Sequence, residues 1–250
     1  MWLYAWRMRI SRIYTDQPLK LENSITLDGQ QAHYLSKVLR LKANASLILF
    51  NGDGFEYKSL VTDIDKHSIT LEIQEAATAG SESPLHTILG LGISRGERMD
   101  LAIQKSTELG VSEIVPLFTA FSEVKLQGDR LQKKLRHWQQ VAISACEQSG
   151  RNRIPKIHLP VDYSSWCKSL ECELKLIFEP NGNSALPNQE KPTEVALLIG
   201  PEGGFSDQEI KHASSTGFQA VRLGPRILRT ETAPIAALTS LQLLWGDFKI

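Results

Sequence analysis

The chain has 250 residues, 42% hydrophobic and 22% charged, enough for one large domain or two of ordinary size with a full core. Lys+Arg 28 balance Asp+Glu 28, so no global polycation marks a nucleic-acid binder and any RNA site must be a local patch. The three cysteines, Cys146, Cys167 and Cys172, form no C-x-x-C pair and no even framework, which argues against a zinc site or a secreted disulfide scaffold and fits a reduced cytosol.

The stretch Met1 to Arg7 is apolar but too short for a signal sequence or a membrane span, and no later run approaches the ~20 apolar residues a span needs. Met8 is a candidate start, with the residues before it expected to be a loose extension. From there to Ile73 the pattern is mostly strand-like. Leu47 to Phe50 turns through Asn51-Gly-Asp-Gly54 into Phe55 to Val61, and Ile69, Leu71 and Ile73 alternate with polar residues. Short strands at this spacing suggest a small barrel. One helix interrupts them: Asp28 and Gln31 occupy capping-box positions, and Ala32, Leu35 and Leu39 recur on one face. Lys37, Arg40 and Lys42, together with Arg7, Arg9 and Arg12, read either as a surface that neutralises phosphates or as an ordinary solvated face.

Ala76 to Pro84 lacks periodicity and is small, polar and turn-prone, so the expected division is a barrel domain over 1–75, a linker over 76–84 and a second domain over 85–250. Beyond Pro84, strands alternate with helices, the signature of βα units around a mainly parallel sheet. Strands are expected at Ile88 to Ile93, Ile114 to Phe118, Leu174 to Phe178, Val195 to Ile199 and Ala220 to Leu223. Ser94-x-x-Glu97, Asp129-x-x-Gln132 and Ser206-x-x-Glu209 each announce a helix. The long helix that begins at Asp129 stops at Gly150, just before Arg151 and Arg153, which serve either as a phosphate clamp or as partners of the last helical carbonyls. The final helix, Pro234 to Trp245, is apolar nearly all round and needs burial on more than one face, at a subunit interface or inside the monomer.

Two glycine- and proline-rich turns follow the last strands: Ile199-Gly-Pro-Glu-Gly-Gly204 and Leu223-Gly-Pro-Arg-Ile-Leu-Arg-Thr-Glu-Thr-Ala233. Ligands of open α/β sheets bind outside the carboxyl ends of strands, and glycine lets a ligand approach the backbone. Phe178-Glu179-Pro180 offers a third such loop. Neither G-K-[ST] nor G-x-G-x-x-G is present, so a polyphosphate is not the expected ligand. The absence of G-x-S-x-G leaves a serine hydrolase without support.

These two turns, with Gln104-Lys-x-x-Glu-Leu-Gly110 and Glu147-Gln-x-x-Arg-x-x-x-Pro155, resemble the RsmE family of ribosomal RNA methyltransferases, within the SPOUT superfamily. The resemblance covers nearly the whole chain from Met8. It implies an N-terminal PUA-like, RNA-binding β-barrel, a C-terminal SPOUT α/β domain with a trefoil knot, a homodimer, S-adenosylmethionine as cofactor, no metal, and methylation of a uridine N3 in 16S ribosomal RNA of the small subunit in the cytoplasm. Methylation of a ribose 2′-hydroxyl or another base, or RNA binding without turnover, are the competing readings. The expected cofactor residues are Phe178, Glu179, Pro180, Ile199, Gly200, Pro201, Gly203, Leu223, Gly224, Ile227, Leu228, Thr230, Thr232 and Ala233. The expected RNA contacts are Arg9, Arg12, Arg40, Arg95, Arg98, Arg151 and Arg153.

An imide nitrogen is a poor nucleophile until its proton leaves, so the site needs a base or a cation for the resulting anion. Arg229 is the candidate cation, and Glu231 and Glu202 are the candidate bases. For Glu231, support of a helix start or an ion pair with Arg229 is an equal alternative. One departure stands out: where family members usually carry a polar Glu-Arg pair after Pro116-Leu-Phe118, this chain has Thr119-Ala-Phe-Ser122, which puts a substrate or interface contact in doubt.

Overall fold

The computed structural model describes residues 10–78, 80–124, 126–182, 186 and 190–249. The candidate start at Met8 and the arginines Arg7 and Arg9 lie outside them. The chain divides into two compact units, one reaching to Glu82 and adding Cys146–Arg153, the other made of Ser83–Ala145 and Ile154–Ile250.

The first unit carries β1 (Arg12–Tyr14), β2 (Ser24–Asp28), β3 (Ser46–Phe50), β4 (Phe55–Ile64) and β5 (Ser68–Thr78), in the order β1-β3-β4-β5-β2. The turn residues Asn51 to Gly54 make the β3–β4 hairpin as their sequence predicts. Inward positions of the alternating strands, Leu47, Leu49, Val61, Ile69 and Leu71, are fully buried in one core with Leu27 and Leu35. β5 runs on through Ala76–Thr78 because the long β4 offers them Phe55, Glu56 and Tyr57 as partners. The strand therefore enters the stretch expected to be linker.

Helix α1 (Gly29–His33) departs from its expected form. Asp28 makes no side-chain cap bond, and the Gln31 amide instead donates to the Tyr14 carbonyl at 2.6 Å. The helix then widens into a π-turn over Tyr34–Val38, closed by the Leu39 N–H donating to the Tyr34 carbonyl.

In the second unit, β6 (His86–Gly92), β7 (Glu113–Phe118), β8 (Lys156–Ile157), β9 (Val161–Asp162), β10 (Leu174–Phe178), β11 (Glu194–Ile199) and β12 (Gln219–Val221) form one sheet. Its order is β12-β10-β11-β6-β7-β8, with β9 also on β7, and every pairing is parallel. Both faces are covered, which is why the strands read as near-continuous apolar runs. On one face Leu89, Leu91, Leu197 and Ile199 pack on α2 (Glu97–Glu108), α3 (Gly128–Ser149) and α6 (Thr232–Leu244) through Met99, Ile103, Trp138, Leu238 and Leu241. On the other, Ile88, Ala196 and Leu198 meet Trp166 of α4 (Tyr163–Ser169) and Ala213 of α5 (Asp207–Ser215). Each large side chain so buried contributes about 1.5–3 kcal/mol.

Two helix starts differ in kind. Ser206 and Glu209 form the full capping box at α5. Ser94 does not cap α2, whose N-cap is Gly96; its hydroxyl is buried and stands 3.1 Å from that of Thr230.

Candidate active site

Phe178 is in register with both Ile199 and Val221, so β10, β11 and β12 end level with one another. The segments that follow gather at that edge and enclose a cavity of about 520 Å³. Its wall includes Phe178, Glu179, Pro180, Ile199, Gly200, Pro201, Glu202, Gly203, Leu223, Gly224, Ile227, Leu228, Arg229, Thr230, Glu231 and Ala233. Thr232, expected among them, stands exposed in the first turn of α6 and lies off the wall. Arg98, Val221, Arg222 and Arg226 line it as well. Arg98 was expected on the RNA side, and nothing local in the sequence singled out Arg222 or Arg226.

The glycine loop is shaped by close approach. A Cβ on Gly200 would sit 3.0 Å from the Gly204 carbonyl carbon, so any side chain there pushes on backbone across the loop. Gly204 has φ +69°, a conformation L side chains rarely adopt. The second segment is tied to the first by Thr230, whose buried hydroxyl donates to the Gly200 carbonyl at 2.9 Å. Ser94, just past the end of β6, completes this clamp.

The charged groups are held very differently. Glu202 accepts from the Arg95 N–H and from Arg98 Nη1, each at 3.0 Å. Burial pushes its carboxyl up, but the backbone N–H groups of Glu202 and Arg95 and the Arg98 guanidinium outweigh it and hold the group below the usual carboxylate value. Arg229 leaves 80% of its side chain open and stands 3.9 Å from Glu231 Oε1, a loose ion pair. Glu231 is only 14% exposed, makes no helix-cap bond, and its buried Oε2 has no hydrogen-bond partner among the described residues. An orphaned carboxylate oxygen beside an open cavity is costly unless a donor arrives there.

The RNA methyltransferase domain family matches residues 81–242, and the RNA methyltransferase PUA domain family matches residues 27–74. The curated Ribosomal RNA small subunit methyltransferase E of Buchnera aphidicola (Schizaphis graminum) is 42% identical over 96% of this chain and 99% of its own length. The chain belongs to the ribosomal RNA small subunit methyltransferase E family. Among solved members, the enzyme of Neisseria gonorrhoeae bound to S-adenosyl methionine superposes with a TM-score of 0.90 at 40% identity, covering 96% of this chain and 100% of that one. A Legionella pneumophila structure with bound SAM gives 0.93, at 40% identity and the same coverage.

For a member of this family the arginines expected to meet RNA are unevenly placed. Arg12 pairs with Glu56 at 2.9 Å and also donates to Asn152, while Arg151 is buried against Glu82 at 2.8 Å. Both are engaged inside the first unit, because their partners lie on elements distant in sequence. Arg40 is exposed, as are Lys37 and Lys42 around the π-turn. Arg153 is exposed too, with its guanidinium lying against Gly54. Arg95 and Arg98 are exposed on the second unit, paired with Glu123 and Glu202.

Proposed function

We propose that this chain transfers the methyl group of S-adenosylmethionine to N3 of a uridine in 16S ribosomal RNA of the small subunit. The observation that carries this reading is the cavity at the three level strand ends, with the orphaned Glu231 oxygen and the exposed Arg229 guanidinium at its edge. Relatives at 40% identity bind the cofactor in the same fold. The cavity fits that cofactor: Phe178, Ile199, Leu223 and Leu228 offer apolar walls for a flat base, the tight Gly200 loop presents backbone, and Glu179 offers an acceptor to hydroxyl or amino groups. The cofactor supplies an activated methyl on sulfonium sulfur.

The protein's task is alignment and proton management. Glu231 is the better proton acceptor of the two carboxylates, since its Oε2 has no donor while Glu202 is already engaged by Arg95 and Arg98. Glu202 then holds the α2 start against the glycine loop. Arg229 stabilises the anion that forms on the uracil ring once RNA covers the site. On the first unit, Lys37, Arg40 and Lys42 supply phosphate contacts, and Arg153 joins them.

The reading extends to a cytoplasmic homodimer, supported by the apolar side chains that α6 leaves uncovered. The family's knot is part of it, supported by the Thr230 tie that holds the 222–231 segment against the Gly200 loop. No helix among the described residues is long and apolar enough to cross a membrane.

The test is mass spectrometry of nucleosides from small-subunit RNA of cells with and without the gene. The expected result is loss of an N3-methyluridine that returns on complementation. Loss of a ribose-methylated nucleoside instead would move the activity to the hydroxyl reading, and an unchanged nucleoside profile would overturn methyl transfer to this RNA.

A further inference from the structure

Beside the cofactor cavity lies a second hollow of about 560 Å³, sharing Arg98, Glu202 and Gly203 with it and continuing to Arg95, Phe121 and Ser122. Phe121 stands at its lip with 48% of its surface exposed. It is not loose. The turn that carries it is closed by the Ser122 N–H on the Thr119 carbonyl at 3.1 Å and by the two hydroxyls, 2.9 Å apart. The Ala120 N–H donates at 2.8 Å to Glu209, the same carboxylate that closes the α5 capping box. Behind the ring is Gly203 of the cofactor loop, where a Cβ would fall 2.8 Å from Phe121 Cβ. A rigid aromatic is thereby seated on the bare backbone of the cofactor loop.

We propose that Phe121 is a stacking platform for a base of the RNA substrate, next to the acceptor nucleotide, with Arg95 and Arg98 on the adjoining phosphates. Three features converge on RNA. Bases stack on exposed aromatics whatever their identity, which suits a single strand splayed from its helix. Two arginines flank the ring: Arg95 is in an exposed pair with Glu123 that a phosphate can replace at little expense, and Arg98, while held by Glu202, keeps half of its side chain open. The hollow shares Arg98, Glu202 and Gly203 with the cofactor cavity, so a nucleotide held here lies next to the transfer site. The inference rests on the methyltransferase reading above for the identity of the RNA, and stacking is measured without turnover.

The experiment compares the full chain with Phe121→Ala, Phe121→Leu and Phe121→Trp. Binding to assembled small ribosomal subunits without cofactor, single-turnover methylation, calorimetric S-adenosylmethionine affinity and light-scattering mass are measured for each. Phe121→Ala is expected to raise the half-saturating subunit concentration about 5- to 150-fold, the range of base–aromatic stacking losses converted at tenfold per ~1.4 kcal/mol. Phe121→Leu, which keeps apolar bulk against Gly203 but has no π-face, should show most of that loss, and Phe121→Trp should restore binding. Mass should not move in any variant, and cofactor affinity should not move in Phe121→Leu and Phe121→Trp, which keep a large side chain against Gly203. Parental binding and rate in Phe121→Leu would overturn the proposal. Equal losses in Leu and Trp, or a change of mass, would overturn it too, by making the ring a packing or subunit contact. If the parent chain binds subunits without methylating them and Phe121→Leu still weakens binding, the stacking site stands and the methyltransferase reading falls. If the parent chain binds no subunits, both fall.

Discussion

A carboxylate oxygen buried without a donor is unfavourable in the isolated protein, and a guanidinium left four-fifths open is free to take a further partner; both lie at the rim of one cavity. In the proposed mechanism the imide N–H supplies the missing donor, and RNA covers the arginine as charge develops on the ring. Arg229→Ala is expected to lower the single-turnover methylation rate by about 10²–10³ while changing cofactor affinity little. Arg229→Lys should recover only a small part, because a point charge lacks the planar fork. Glu231→Gln keeps the shape and removes the proton acceptor, with an expected loss of about 10²–10⁴. A parental rate in Glu231→Gln would move the base elsewhere. Proportional losses of rate and cofactor affinity in Arg229→Ala would make that residue a binding group.

Among the elements, the glycine loop after β11 is the most constrained. It is pressed from one side by Phe121 against Gly203 and held from the other by Thr230 on the Gly200 carbonyl. Gly200→Val places a branched side chain 3.0 Å from the Gly204 backbone, where only movement of the loop relieves the clash. The expected outcome is a folded protein with no calorimetric binding of S-adenosylmethionine, its circular dichroism unchanged because the β10–β11–β6 ladder ends before the loop. Normal affinity in a folded variant would show that the cofactor does not approach this backbone.

Over the whole molecule, the proposed homodimer rests on α6. Ala237, Leu238 and Leu241 are buried in the monomer core, whereas Leu243 (41%) and Leu244 (54%) remain exposed near an exposed Phe248. A second copy meeting this end would cover them, as a two-fold contact covers the same patch on both partners. Light scattering at micromolar concentration is expected to report twice the chain mass, and Leu244→Asp to return it to one. A monomeric parent chain would leave the exposed leucines without that role.

What the sequence determined by itself is what local rules decide. Period-2 alternation marks the strands of the first unit, apolar runs that stop at Gly-Pro mark the parallel strands of the second, and Ser206 with Glu209 marks a true helix start, because each depends on residues a few positions apart. The cavity wall was legible for the same reason: sites gather at the carboxyl ends of parallel strands, and those ends are written as glycine turns. The tertiary structure alone decided which polar groups keep their charge free. Arg12 and Arg151 looked like surface cations until Glu56, Asn152 and Glu82 were brought to them from afar. Ser94 matched a capping box and instead joined Thr230, 136 residues away. Phe121 stood only in a stretch that departs from the family's polar pair until its turn was anchored to Glu209 beside Gly203. Burial and partner choice are properties of residues far apart in sequence, and only packing in three dimensions sets them.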